Sequence, residues 1–211
     1  MMTSRKTVAK DYATDSFIEK KSEFIAYVKR IGSEDEAKAF IAEIRAKHPD
    51  ARHNCYAYVL ADTGAARCSD DGEPSGTAGL PILEVLNREG LVGVCVVVTR
   101  YFGGILLGAG GLTRAYARAA KIGIDAAGRA ELVPFTYFQA AVSYAEYQKL
   151  VNEMPKYAVE CTDTVFAAEV TLTMRARDGD FERFKAYVTE YTAGRVSCTV
   201  TERRQDAAPM V

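Results

Sequence analysis

The stretch VVVTRYFGGILLGAGGLTRAY, residues 96–116, passes from an apolar run through a glycine-rich segment into an alanine-rich one. Its first residues complete the nearly continuous β-branched run LVGVCVVVT, residues 91–99. Such a run is typical of a central strand that is covered on both faces, and it is far too short to span a bilayer. The alanine-rich segment predicts a helix over residues 112–127. The sequence therefore predicts a buried strand, a glycine-rich loop and a helix in succession, within an α+β fold.

The glycine-rich segment is the first candidate binding site. Glycines let a ligand approach the backbone closely, and a helix N-terminus offers free N–H groups to an anion. Tyr101 and Phe102 can stack on bases beside the arginines of the segment. The alternative is that the glycines fit a tight crossover and the aromatic residues belong to the core. The segment matches neither the P-loop nor the dinucleotide-binding pattern. The candidate phosphate- or nucleic-acid-binding residues are Arg100, Tyr101, Phe102, Gly103, Gly104, Gly108, Gly110, Gly111, Arg114 and Arg118.

Upstream of the central strand, the pattern predicts a strand, a helix and a second strand. Residues 22–30 alternate between apolar and polar side chains, as in a half-buried strand. Ser33 and Glu36 form an S-x-x-E capping box at the start of a helix, which ends at His48 and Pro49. Residues 53–60 are rich in β-forming side chains again. These elements make a β-α-β unit.

The loop of residues 62–79 holds the second candidate site. Its carboxylates Asp70, Asp71 and Glu73 can hold a divalent ion or act as an acid/base pair. Acidic residues beside glycine are usually turn formers, however, and the loop lacks the ligand order of an EF-hand. No metal and no cofactor is therefore predicted. Ser75 and Thr77 are expected to cap a helix that begins near Pro81.

A histidine and a cysteine lie in the strand that precedes this loop. Alternation puts His53 and Cys55 on one face of the strand, and a packed cysteine with a hydrogen-bonded histidine is favoured there over a nucleophile and its base. The chain contains no nucleophile elbow, zinc-binding H-E-x-x-H pair or Walker lysine, so no catalytic residue is assigned. The candidate polar loop consists of His53, Asp70, Asp71 and Glu73.

The last third of the chain has the pattern of a separate domain. It predicts elements in the order β-α-β-β-α-β, which is the split unit of a ferredoxin-like domain. A linker near residues 128–134 divides the chain into domains 1–132 and 133–211. The predicted elements are a strand at 136–143, a helix at 145–154, strands at 157–161 and 167–175, a helix at 181–191 and a strand at 195–201, with a frayed tail after Arg204.

Composition excludes several classes of protein. The net charge of −1 excludes binding of nucleic acid through bulk charge, so a polyanion must bind to a local patch. The five scattered cysteines form neither a disulfide framework nor a zinc-ligand spacing, and the N-terminus lacks the apolar run of a secretory signal. A cytoplasmic protein is therefore predicted. Between residues 97 and 130, Asp125 alone opposes a group of cations: Arg100, Arg114, Arg118, Lys121 and Arg129.

Three blocks of the sequence resemble the signature blocks of the YigZ/IMPACT family. They are ARHNCYAYV at 51–59, SDDGEPSGTAGLPIL at 69–83 and VVVTRYFGGILLGAGGLTRAY at 96–116, and KKSEF at 20–24 resembles the family's usual start. The resemblance implies an N-terminal domain similar to domain IV of elongation factor G, with a left-handed β-α-β crossover. It also implies a ferredoxin-like C-terminal domain similar to domain V of that factor. Eukaryotic members of the family are linked to translation initiation through protein partners, and no catalytic residues are established.

Three functional hypotheses remain open. The first is a translation-linked regulatory factor that binds RNA, the ribosome or a translation-associated protein, without catalysis. The second is a protein-interaction regulator that does not bind nucleic acid. The third is a phosphate- or nucleotide-handling enzyme that uses the glycine-rich loop, with magnesium on Asp70, Asp71 and Glu73. The sequence leaves the oligomeric state open.

Overall fold

The computed structural model describes residues 5–209, which divide into two units. Unit 1 comprises the chain up to Leu132 together with the segment from Ala207, and unit 2 comprises Val133–Asp206. The elements of unit 1 are β1 (Arg5–Val8), β2 (Tyr12–Glu19), β3 (Ser22–Arg30), α1 (Glu34–Lys47), β4 (His53–Val59), β5 (Ala66–Ser69), α2 (Gly79–Glu89), β6 (Val94–Tyr101) and α3 (Ala109–Ala127). The next strand, β7 (Arg129–Val142), starts in unit 1 and ends in unit 2.

β6 is the central strand of the main sheet in unit 1. The strand order is β2-β3-β6-β4-β5, and all neighbouring strands are antiparallel. Val96 and Val98 belong to the core shared with α2 and α3, whereas Cys95 and Val97 belong to the core shared with α1. The prediction of a central strand covered on both faces is therefore confirmed. Since β3 and β4 are both antiparallel to β6, they are parallel to each other, and α1 connects them.

The ends of α1 follow the predicted signals with one difference. The Ser33 hydroxyl accepts a hydrogen bond from the Glu36 N–H at 3.2 Å, as in a capping box. The Glu36 carboxylate accepts its bond from the Gly32 N–H at 2.8 Å, one residue earlier than the motif requires. His48 forms the C-terminal cap, where the sequence placed the end of the helix.

Unit 2 has the predicted succession of strands and helices. Its elements after β7 are α4 (Tyr144–Glu153), a 3₁₀ turn (Met154–Tyr157), β8 (Glu160–Phe166), β9 (Val170–Ala176), α5 (Asp178–Tyr191) and β10 (Thr199–Pro209). β10 pairs with β7, β7 with β9, and β9 with β8. The core contains Phe138 from β7, Leu172 from β9 and Phe184 from α5. The β-α-β-β-α-β order predicted for the last third is confirmed.

The end of the chain differs from the prediction. The sequence placed the last strand at residues 195–201 with a frayed tail after Arg204, whereas β10 begins at Thr199 and continues to Pro209. The segment after Arg204 is therefore part of a strand that pairs with β7, and Ala207 and Ala208 near its end are buried. Within residues 5–209, no helix combines the length and apolar character needed to cross a membrane.

Candidate functional site

Asp70 holds the start of α2. One carboxylate oxygen accepts hydrogen bonds from the N–H groups of Ala78 and Gly79 at 3.0 and 2.8 Å, and the other accepts one from Gly76 at 2.8 Å. Burial alone would raise the pKa of the Asp70 carboxyl, but the three N–H donors outweigh it and hold that pKa below its usual value. Asp70 therefore caps the N-terminus of α2, although it lies nine residues before the first residue of that helix.

The predicted capping by Ser75 and Thr77 is wrong. No side chain of the residue before α2 caps the helix, and the Thr77 hydroxyl donates to the Pro74 carbonyl at 2.6 Å. The helix also begins at Gly79, two residues before Pro81. The reason is that the Asp70 carboxylate already occupies the N–H groups that a local cap would use.

Asp71 ties the same loop to β4 and α1. Its carboxylate accepts hydrogen bonds from the Arg45 guanidinium at 2.6 Å and from the Asn54 N–H at 2.7 Å. The Asp71 carbonyl oxygen lies 2.9 Å from His53 Nδ1. His53 is thus hydrogen-bonded, the role that the sequence favoured for it. The Cys55 thiol donates to the Asp70 carbonyl at 2.9 Å, and burial raises the pKa of the Cys55 thiol well above its usual value.

Glu73 and Arg100 form a buried ion pair. Arg100 Nη1 lies 2.6 Å from Glu73 Oε1, and the two side chains are only 7% and 3% exposed. The Tyr116 hydroxyl donates a hydrogen bond to the same oxygen at 2.8 Å. The pKa of this hydroxyl is raised, and burial is the largest cause. The Arg100 guanidinium lies 5.5 Å from each of the Phe24 and Phe102 rings. The Arg100 side chain is therefore buried and paired with Glu73. The prediction that Arg100 lies on a phosphate-binding surface is wrong.

We call residues 70–78, between β5 and α2, the acidic loop. Its three carboxylates do not converge on one point. Asp70 binds backbone N–H groups, Asp71 binds Arg45 and Asn54, and Glu73 binds Arg100 and Tyr116. Among residues 5–209, no three His, Cys, Asp or Glu side chains lie close enough together to hold a metal ion. The arrangement offers no ligand set for the magnesium that the enzyme hypothesis requires.

The glycines before α3 serve close packing at one position and a turn at others. A Cβ on Gly103 would overlap the Lys21 carbonyl, so only glycine fits against the β2–β3 hairpin. Gly108, with φ +73°, precedes the first residue of α3, and Gly104 also has positive φ. Gly110 and Gly111 lie in the first turn of α3. The close-packing interpretation therefore accounts for Gly103.

Tyr101 and Phe102 are separated by the alternation of the strand. The Tyr101 hydroxyl lies 2.8 Å from His48 Nδ1, at the end of α1. Arg100, one residue earlier, packs against Phe24 and Tyr116 in the core on the α3 side. Tyr101 therefore faces away from α3, and its predicted place beside Arg114 and Arg118 is wrong. Phe102 remains 52% exposed.

An open cleft of about 260 Å³ lies between β2 and the start of α3. We call it the cationic cleft. The Arg118 guanidinium lies 4.2 Å above the Phe17 ring and 3.8 Å from the Glu19 carboxylate. Lys20 and Arg114 form no ion pair with any of the residues described. The cleft is lined by Phe17, Glu19, Lys20, Leu107, Gly111, Arg114, Ala115 and Arg118.

The remaining cations of the predicted basic segment are paired. Lys121 and Arg129 both contact the Glu89 and Asp125 carboxylates, at distances between 2.6 and 3.4 Å. The contacts with Lys121 and Arg129 outweigh the opposing effect of burial and hold the pKa of the Asp125 carboxyl below its usual value. Lys121 and Arg129 are therefore engaged within the fold, and only Arg114 and Arg118 of the predicted segment line the cleft.

The sequence interpretation missed the contribution of Lys20 and Lys21. They form the two-residue turn between β2 and β3, both are exposed, and both have positive φ, 46° and 64°. Lys20 lines the cleft, and neither lysine has an ion-pair partner within residues 5–209. The signal was available, because two strand-forming segments separated by two residues indicate a hairpin whose tip carries those residues.

Comparison with known proteins identifies both units. Residues 20–124 match the Impact N-terminal domain, and residues 141–195 match a domain of unknown function, DUF1949. YvyE of Bacillus subtilis, an IMPACT family member, is 37% identical over 88% of this chain and 86% of its own length. The crystal structure of a hypothetical protein is 31% identical, with a TM-score of 0.61 over 96% of this chain and 99% of that one.

A more distant solved structure is that of Yih1, a two-domain translational regulator. It is 24% identical, with a TM-score of 0.38 over 56% of this chain and 47% of Yih1. The match to the Impact N-terminal domain includes the acidic loop, β6 and the residues of the cationic cleft from Lys20 onward. Because these similarities extend over most of its length, the chain belongs to the IMPACT family.

Proposed function

We propose that this chain is a cytosolic, translation-associated regulatory protein that binds RNA, including ribosomal RNA, through the cationic cleft and Lys21. It acts by binding and not by catalysis. The observation that carries the proposal is a group of exposed cations, with Lys20, Arg114 and Arg118 lining one open cleft and Lys21 next to Lys20 in the β2–β3 turn. Lys20, Lys21 and Arg114 have no ion-pair partner among residues 5–209.

Unpaired cations favour a polyanionic ligand. Phosphate groups exchange condensed counterions for such side chains, which supplies affinity without requiring a basic protein overall. The first turn of α3 adds to this, because Gly108 provides no side-chain cap for its N–H groups. With a net charge of −1, binding is confined to this patch and is sensitive to salt.

The association with translation rests on relatives. Yih1 is a translational regulator. The resemblance to the YigZ/IMPACT family implies, in addition, that eukaryotic members are linked to the control of initiation. We further infer that residues 1–132 and 133–211 act as two domains similar to domains IV and V of elongation factor G. The parallel pair β3 and β4, joined by α1 with β6 between them, is compatible with the left-handed crossover that this resemblance implies.

Cosedimentation with ribosomes and with RNA across a salt series tests the proposal. The variant Arg114→Glu/Arg118→Glu is compared with Arg67→Glu/Arg88→Glu, which makes the same charge change at exposed arginines on β5 and α2. We expect the wild type and the control variant to bind RNA in a salt-sensitive way. The variant Arg114→Glu/Arg118→Glu should lose this binding. Each phosphate contact removed lowers the slope of log affinity against log salt by about 0.7. Absence of binding at low salt, or equal loss in both variants, would overturn the proposal.

A further inference from the structure

The loop between β6 and α3 exposes apolar side chains next to the cations. We call residues 102–107 the apolar loop. Phe102 is 52% exposed, Ile105 is 42% exposed and Leu106 is 81% exposed. Single exposed apolar residues are ordinary on a protein surface, but three within five consecutive positions concentrate apolar surface in one loop, and we expect a ligand to cover it.

The Phe102 ring is supported from beneath. The Arg100 guanidinium lies 5.5 Å from its centre, and Arg100 is fixed by the Glu73 carboxylate at 2.6 Å. Ser22 Oγ lies 3.5 Å from Arg100 Nη2. One side of the ring therefore rests on a charge held by the fold, while about half of the residue stays open to solvent. Such a ring loses little freedom when it stacks on a ligand.

Both pairs of cations flank the apolar loop. At its start, the Gly103 N–H donates to Ser22 Oγ at 3.1 Å, and its backbone packs against Lys21 at the hairpin tip. At its end, Leu107 lines the cleft together with Arg114 and Arg118. A nucleic-acid strand whose phosphates contact the lysines or the arginines therefore lies next to the apolar loop.

The chemistry of this surface distinguishes unpaired from paired RNA. A duplex presents phosphates and riboses and hides the faces of its bases, so it would cover Ile105 and Leu106 with charged backbone. An unpaired strand exposes the apolar faces of its bases, and these stack on aromatic side chains. An acidic protein segment with apolar side chains also combines negative charge with apolar surface. The Phe102 ring, which is half exposed and contacts Arg100 on one side, favours a planar aromatic ligand such as a base.

We propose that the RNA bound at the cationic cleft is unpaired, with a base stacked on Phe102 and further bases covering Ile105 and Leu106. This inference rests on the proposed function, since it requires RNA to bind at the cleft. It adds the class of RNA and the residues that select it. Phosphate contacts at Lys20, Lys21, Arg114 and Arg118 hold the strand without reading its structure.

Equilibrium binding of an oligouridine single strand and of an RNA duplex of the same length tests the inference. The variants are Phe102→Ala, Phe102→Leu, which keeps an apolar cover on Arg100 without an aromatic ring, and Leu106→Ser. Tyr144→Ala, which removes an exposed aromatic side chain from unit 2, is the matched control. Melting temperatures confirm that each variant is folded.

We expect the wild type to prefer the single strand. Both Phe102 variants should weaken single-strand binding about tenfold, leave duplex binding unchanged and so remove the preference. The Tyr144 control should bind as the wild type does. Equal affinity of the wild type for both RNAs, or no effect of Phe102→Leu and Leu106→Ser on the single strand, overturns the inference while the proposed function stands, and the apolar loop is then left to a protein partner. Binding of neither RNA overturns both.

Discussion

The acidic loop and the cationic cleft both concentrate charged side chains in unit 1, and they differ in what those charges contact. Asp70, Asp71 and Glu73 all accept hydrogen bonds from the protein itself. In the cleft, Lys20 and Arg114 form no ion pair with any residue described. A buried charge that is paired within the fold cannot lose its partner without a large cost in stability, whereas unpaired charges at an open cleft remain available to a ligand.

Arg100 and Arg114 lie close together in the sequence and show the same contrast between a paired and an unpaired charge. The first is buried against Glu73, and the second is exposed on α3. Substitutions of the two should therefore have opposite profiles, with loss of stability at Arg100 and loss of binding at Arg114. The following predictions concern stability and run from the largest expected change to the smallest.

Removal of Arg100 should have the largest effect. Arg100→Met leaves the Glu73 carboxylate buried without its cation, and we expect the free energy of unfolding to fall by about 3–5 kcal/mol. Urea denaturation followed by circular dichroism measures the change. The double variant Arg100→Met/Glu73→Gln removes both charges and should recover a large part of the loss. A single variant that loses less than about 1 kcal/mol would contradict the assignment of a tightly coupled buried pair.

Removal of the distant cap should have an intermediate effect that depends on pH. Asp70→Ala leaves the N–H groups at the start of α2 without an acceptor, at an expected cost of about 1–2 kcal/mol at pH 7. The folded pKa of Asp70 is lowered, so its contribution is present above the unfolded value near 4 and is lost as pH falls through the folded pKa.

The pH dependence can be measured by urea denaturation of both proteins at neutral and acidic pH. The difference between the wild type and Asp70→Ala should shrink as the pH falls below about 4. Asp70→Asn, which keeps one acceptor oxygen but does not titrate, is the control. A difference that stays constant into strong acid would contradict the role of the Asp70 charge.

Charge reversal in the cleft should change stability least. We expect Arg114→Glu/Arg118→Glu to shift the free energy of unfolding by no more than about 0.5 kcal/mol, because both side chains are exposed and the Arg118 contact with Glu19 is long, at 3.8 Å. Thermal denaturation tests this. A loss as large as that of Asp70→Ala would mean that the two arginines stabilise the fold, and the contrast between the two regions would disappear.

Local patterns in the sequence were sufficient for the elements around the site. The β-branched run predicted β6, and Ser33 predicted the start of α1, because both signals lie within a few residues of the structure they specify. They did not reveal that Arg100 is buried, since its partner Glu73 is distant in sequence and the pairing depends on how the loop folds back over β6. Asp70 was likewise assigned to a turn, although its carboxylate reaches a helix that starts nine residues later.

The candidate site was predicted in part. Arg114, Arg118 and Phe102 are exposed as expected, whereas Tyr101 faces the other side of the sheet and Arg100 lies inside. Alternation along β6 could have separated Tyr101 from its neighbours, because successive side chains of a strand point to opposite faces. Lys20 could not be assigned to the cleft from local patterns, because the pairing of β2 with β3 is what places the tip of this hairpin beside the cleft.

The β2–β3 turn has a consequence for engineering this protein. A two-residue hairpin with both φ angles positive is the conformation that Asn-Gly adopts most readily, yet the chain places Lys20 and Lys21 there, at a cost of about 1–2 kcal/mol per residue. A stability-driven redesign would replace this pair first, because the substitution improves the backbone and disturbs no packed side chain. The same replacement would delete Lys20, one of the three cations that line the cleft, together with its exposed neighbour Lys21. The most thermostable turn and the turn that the proposed function needs are therefore different sequences.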